Sequence, residues 1–201
     1  MSPDAETQHG CLVIADISGY TAFLAGSELE HAQGILDELL NGVLGTLSPP
    51  FEIANLEGDA VFCHAPVGRI GTGQPLVDLI DATYAAFMRA RERMERNTSC
   101  PCQACRKIPD LGLKFVAHFG VYAASQIGGR RELTGPEVIL VHRLLKNQII
   151  EAKQIPAYAF FTDAGIEAMG LTGVLPGAVA HEEEYEHLGM VRGVVRDLDV
   201  E

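Results

Sequence analysis

The chain has 201 residues, with 15 Lys and Arg against 27 Asp and Glu, a formal net charge of −12. That length suits one domain burying about 70% of its unfolded surface, and 47% apolar with 21% charged residues exclude disorder as the main state. Such acidity excludes a general nucleic-acid binder, because duplex binding is driven by Lys and Arg displacing counterions, but it leaves room for a nucleotide held through metal ions.

Residues 1–10 read as a flexible tail without the basic-then-apolar pattern of a leader. The rest, 11–201, reads as one domain with a Cys-rich loop insert at 98–110. Cys11–Ala15 is a short apolar run that suits a buried strand. Ser27 with Glu30 has the spacing of a capping box. Leu29, Leu36, Leu39, Leu40 and Val43 then give a helix that ends at Ser48-Pro49-Pro50. Two strands, one through Phe51, Ile53 and Leu56 and one over Ala60–Ala65, form a hairpin with Gly58-Asp59 at its tip.

Pro75 opens a helix whose apolar face runs Leu76, Ile80, Thr83, Phe87, Ala90 and Met94. Leu113, Phe115, Ala117, Phe119 and Val121 alternate as a strand, and Arg130–Thr134 follows the Gly128-Gly129 turn as another. Pro136 starts a helix expected to run to about Lys153. A strand at Tyr158–Thr162, a short helix at Asp163–Met169 and a closing strand from Tyr185 to Leu198 complete the chain. The acidic run His181–Glu184 reads as a solvated turn, and His118 as a satisfied sheet residue.

This order begins as a ferredoxin-like βαββαβ arrangement, so the expected class is α+β, with a mainly antiparallel sheet and helices on one face. In that topology Asp16, at the end of the first strand, and Asp59, at the hairpin tip, meet at one end of the sheet. Two carboxylates there repel unless something positive lies between them, and oxygen ligands suit Mg²⁺ or Mn²⁺. Gly19 lets the main chain approach a ligand, and N–H groups in such a turn can cradle phosphate.

Val13-Ile14-Ala15-Asp16-Ile17-Ser18-Gly19-Tyr20-Thr21 resembles the opening motif of class III adenylate/guanylate cyclases. Glu57-Gly58-Asp59-Ala60, the strand Lys114–Ala123, the stretch from Thr134 to Arg143 and Leu188–Gly193 are similar to the family's later motifs. A small cyclase-like family of unknown function with a Cys-rich insert is the nearest resemblance.

The resemblance implies metal ligands at Asp16, Asp59 and the Ile17 carbonyl, phosphate-binding amides at Gly19, Tyr20 and Thr21, and a catalytic Arg143 that stabilises charge on the phosphate. It implies base contacts at Asn55 and Glu132. It further implies a metal–nucleoside triphosphate ligand, a head-to-tail homodimer and, if the protein turns over, a cyclic nucleotide with release of pyrophosphate. Two positions depart from the family pattern. Ile139 replaces the ribose-orienting asparagine, with Val138, Leu144 and Leu145 as expected packing neighbours, and Asn55 replaces the adenine-reading lysine. The departures open the alternative of a degenerate nucleotide-sensing or dimerisation module.

Cys100, Cys102 and Cys105 have chelating C-x-C and C-x-x-C spacings, while Zn²⁺ takes four N or S ligands. Cys11, Cys63, His64, His118 or a partner chain are the candidates for the fourth, and the alternatives are a zinc-stabilised interaction domain or three unligated thiols. The insert enters its strand at the sheet end carrying the acids, where it would brace their rim. Crowded thiols without a leader fit a reducing cytoplasm, and no apolar run reaches the roughly 18–20 residues of a membrane span.

Overall fold

The computed structural model describes residues 6–199. In chain order the elements are β1 (Glu6–Ser18), α1 (Tyr20–Ala25), α2 (Leu29–Leu47), β2 (Glu52–Glu57), β3 (Ala60–Pro66), α3 (Gln74–Asn97), α4 (Gln103–Arg106), β4 (Gly112–Ile127), β5 (Arg130–Thr134), α5 (Pro136–Arg143), α6 (Ile149–Lys153), β6 (Tyr158–Thr162), α7 (Asp163–Ala168), β7 (Val179–Tyr185) and β8 (Gly189–Asp197). The eight strands form one sheet in the order β2-β3-β1-β4-β6-β8-β7, with β5 paired to β4. Among the described residues only β4 and β6 pair in parallel.

The apolar run in β1 is continuous because both its faces are covered. Cys11, Val13, Ala15 and Ile17 join a core with Leu36, Leu39 and Val43 of α2 and Leu76, Ile80 and Phe87 of α3. Leu12 and Ile14 point the other way, into a smaller core with Val141, Leu144 and Ile149. The long helices therefore share one face, as expected, while α5 and the residues after it cover part of the second. Among the described residues no helix is long and apolar enough to cross a membrane.

Four local expectations are corrected. β1 starts at Glu6, inside the stretch read as a tail, because its polar first residues pair with β4 as far as Glu6↔Ala124, and ladder pairing needs backbone, not apolar side chains; residues 1–5 lie outside the described part. The capping box does not form. Ser27 Oγ donates to the Phe23 carbonyl at 2.5 Å, closing α1, and Glu28 is the N-cap of α2. The helix from Pro136 breaks after Arg143, where Asn147 donates to the Leu144 carbonyl (2.6 Å) and accepts from the Ile149 N–H (3.0 Å), turning the chain before α6. His181–Glu184 is not a turn but part of β7, an edge strand in which His181 is buried and the glutamates lie along the sheet rim.

Candidate functional site

Asp16 lies between two neighbours on adjacent strands, opposite Ala60 of β3 and Lys114 of β4. Gly58, at φ +68°, turns β2 into β3, and the Ile17 N–H donates to the Asp59 carbonyl at 3.1 Å. Strand pairing and this bond draw the two acids together at one rim.

Asp59 is half-buried, and its carboxyl is pushed up to about 6, first by burial and then by the charge of Asp16. Lys114 partly offsets that charge. Its Nζ lies 3.0 Å from Asp16 Oδ2, with the two side chains 16% and 14% exposed. The lysine has no role in the motif-based reading; its alternation in β4 was legible, but its place opposite Asp16 depends on the β1–β4 register.

The turn after β1 closes around Gly19, at φ +84°, where a Cβ would come within 2.7 Å of the Asp110 carbonyl oxygen. Tyr20 is half-buried and its ring edge reaches the hairpin tip, 4.0 Å from where a Gly58 Cβ would stand; Thr21 is exposed. The Ile17 side chain is in the core, so only its backbone is available to a ligand.

Arg143 and Ile139 stand four residues apart on α5, and both are exposed. With Val138, His142 and Lys146 they line a shallow cleft of about 420 Å³. Ile139 is 59% exposed, which corrects its expected packing: Val138, Leu144 and Leu145 turn into the smaller core and leave it outside. His142 contacts the Val138 carbonyl through Nδ1 (2.7 Å) and Glu57 Oε1 through Nε2 (3.1 Å), tying α5 to the hairpin.

Asn55 and Glu132 are both exposed, and no hydrogen bond joins them among the described residues. Asn55 Nδ2 donates to Glu57 Oε1 at 3.3 Å, whereas β5 reaches β2 through the Arg131–Glu52 ion pair. A larger cleft, about 620 Å³, lies between α6 and the β7–β8 hairpin and contains none of the expected site residues.

The three insert cysteines do converge, and the side chain that joins them in a group able to hold a metal is His31, on the first turn of α2. Its Nδ1 lies 3.1 Å from Cys102 Sγ, 3.6 Å from Cys100 Sγ and 4.0 Å from Cys105 Sγ. The four residues of this chain expected as fourth partner lie elsewhere. Cys11 and Cys63 are buried in the core, with the Cys11 thiol pushed up to about 12 by burial. His64 and His118 are buried and bonded to Tyr122 and to Thr162 and Glu137. No spacing signal marks His31, which helix docking brings to the insert.

A model of a family described as "Protein of unknown function (DUF2652)" matches residues 36–154. An uncharacterized protein of Mycobacterium tuberculosis (strain ATCC 25618 / H37Rv), Rv2561/Rv2562, is 36% identical over 126 residues, covering 63% of this chain and 56% of that protein. The chain thus spans little more than half the length of this relative. Among solved structures, the guanylyl cyclase Cya2 has a TM-score of 0.74 at 14% identity, covering 96% of this chain and 93% of that one. The adenylyl cyclase CyaB from P. aeruginosa reaches 0.66 at 14% identity, covering 95% of each chain. A class III adenylyl cyclase-like ATP-binding protein from Pseudomonas aeruginosa reaches 0.61 at 18% identity, covering 83% of this chain and 36% of that one. The fold is that of class III adenylyl and guanylyl cyclase domains.

Proposed function

The chain belongs to the family described as "Protein of unknown function (DUF2652)", and we propose that it binds a divalent cation–nucleoside triphosphate at the rim shared by Asp16 and Asp59. One observation carries this reading. Two acids distant in the chain face each other, and one of them has its carboxyl pushed up to about 6 by burial and by the other's charge. A single lysine leaves the pair short of positive charge. Oxygen donors of this kind fit Mg²⁺ or Mn²⁺.

Asp16, Asp59 and the Ile17 carbonyl would hold the cation, which supplies charge neutralisation to the triphosphate. The turn Gly19, Tyr20 and Thr21 would offer N–H groups to its phosphates. Lys114, already at the rim, adds cationic charge without a second metal. Arg143 projects from α5 on the exposed face and makes no ion pair among the described residues. In a head-to-tail homodimer it would reach the partner's nucleotide and stabilise charge at the α-phosphate as pyrophosphate leaves. Asn55 and Glu132 would flank the base.

A second reading is favoured by Ile139. An exposed apolar side chain stands where the resemblance requires a hydrogen-bonding one, and losing one preorganised donor costs about 10²–10³ in rate. The protein would then sense nucleotide with little or no turnover, and a structural relative described as an ATP-binding protein is in keeping with this.

Calorimetry with ATP and Mn²⁺ on the wild type and Asp16→Ala tests the binding. Mn²⁺-dependent binding by the wild type, lost in the variant, is expected; equal binding by both, or none by either, overturns it. Product analysis with the four triphosphates then separates the two readings, since a sensor binds and forms no cyclic product.

A further inference from the structure

We propose that Cys100, Cys102, Cys105 and His31 form a Cys₃His zinc site that staples the insert to α2. With Zn–S near 2.3 Å and Zn–N near 2.0 Å, a tetrahedral site places the nitrogen about 3.5 Å from each sulfur. The observed separations of 3.1, 3.6 and 4.0 Å straddle that value, and all four ligand atoms lie within 4.8 Å of one another. The Cys105 N–H donates to Cys102 Sγ at 3.4 Å, which orients one sulfur and offsets its charge once the thiol proton has left. Binding exchanges three thiol protons, released to solvent, for one Zn²⁺, and the donors are soft enough to exclude Mg²⁺.

The surroundings say what the staple does. Glu28, three residues before His31 on α2, accepts the Ala104 N–H at 3.1 Å. Lys107 Nζ donates to the Ala22 carbonyl of α1 at 3.0 Å. The Asp110 carbonyl lies against Gly19. Residues 98–111 hold few apolar side chains: Ala104, Ile108 and Leu111 are the buried ones. These three anchors in the main core and a few polar bonds hold the segment, and a metal cross-link would add to them. Zinc would therefore fix the insert against α1 and the turn after β1. The effect on that turn's ligand rests on the nucleotide reading; the zinc site itself does not.

Elemental analysis of the 201-residue chain, purified without chelator, is expected to give one zinc per chain. Replacement by Co²⁺ is expected to give thiolate charge-transfer absorption and the visible bands of a four-coordinate ion. His31→Ala is expected to weaken binding by more than about 100-fold, since second-shell changes alone cost 10–100-fold. Stripping the metal from the wild type, which involves no variant, is expected to speed tryptic cleavage after Arg106 or Lys107, while cleavage after Arg89 in α3 stays slow. Substoichiometric zinc, a disulfide among the three cysteines in fresh protein, an octahedral cobalt spectrum, or wild-type affinity in His31→Ala would each overturn the site. None of these readouts involves a nucleotide, so the two proposals fail separately.

Discussion

Asp16 and Lys114 face each other across β1 and β4, with Oδ2 and Nζ 3.0 Å apart and both side chains largely shielded from water. Breaking such a pair leaves a carboxylate in poor solvent beside a second one, Asp59. Lys114→Met keeps most of the stem and removes the charge. Because fully buried pairs cost about 3–5 kcal/mol when one partner is lost, this partly exposed one should cost about 2–3 kcal/mol. If the rim takes a cation, Mn²⁺ should restore more stability to Lys114→Met than to the wild type. Denaturant unfolding with and without MnCl₂ measures both effects, and indifference of both proteins to the ion counts against the cation site.

Two glycines near the rim separate backbone strain from crowding. At Gly19, φ is +84° and a Cβ would meet the Asp110 oxygen at 2.7 Å. Gly58 has φ +68°, yet the nearest atom to its Cβ, Tyr20 Cε1, is 4.0 Å away. Left-handed backbone costs a side chain about 1–2 kcal/mol, so Gly58→Ala should lose about that much. Gly19→Ala should lose clearly more, because the insert must also move off the turn. Equal losses in equilibrium unfolding would mean that the insert is not pressed against Gly19.

Apart from one relation set by topology, what sequence disclosed here was local, and what it hid was relational. Glycine at the β2–β3 tip, Pro49 and Pro50 after α2, and the alternation from Leu113 to Val121 each act within a few residues, and the corresponding elements stand where expected. The convergence of Asp16 and Asp59 at one rim followed from topology. Lys114 opposite Asp16 needed the register of two strands, and His31 beside Cys102 needed the docking of a loop on a helix. Neither relation leaves a trace in spacing. The break between α5 and α6 depends on the side-chain bonds of one residue, Asn147, within a run of good helix formers. β7 was obscured because an edge strand can tolerate consecutive glutamates that a central strand cannot.

Ile139 offers a gain-of-function experiment. It is 59% exposed, so Ile139→Asn removes no core contact and should change stability by less than about 0.5 kcal/mol. If slow chemistry reflects the missing donor, the variant should form cyclic nucleotide faster than the wild type, by up to about 10²-fold. Unchanged melting with no gain in product from any triphosphate favours the sensing reading.

His118 should make the fold acid-sensitive in a measurable window. It is buried in β4, with Nδ1 2.8 Å from Thr162 Oγ1 and Nε2 2.8 Å from Glu137 Oε2. Burial lowers its pKa, and the nearby Glu137 only partly opposes this. The neutral ring satisfies both contacts: Nε2–H donates to the carboxylate, and Nδ1 accepts the Thr162 hydroxyl proton. Thr162 Oγ1 in turn accepts the Gly165 N–H at the start of α7. As pH falls through the unfolded-state value near 6.5, the unfolded chain takes up a proton that the folded one refuses, so stability drops by up to about 1.4 kcal/mol per pH unit. Above that value the contribution is constant. Asp59 works in the opposite sense, because a raised carboxyl favours the folded state as pH falls toward 4. Comparing wild type with His118→Gln cancels that slope. Unfolding free energies taken between pH 8 and pH 5 should show the variant losing about one proton's worth less stability on the acid side, and parallel profiles would mean that His118 is not held neutral.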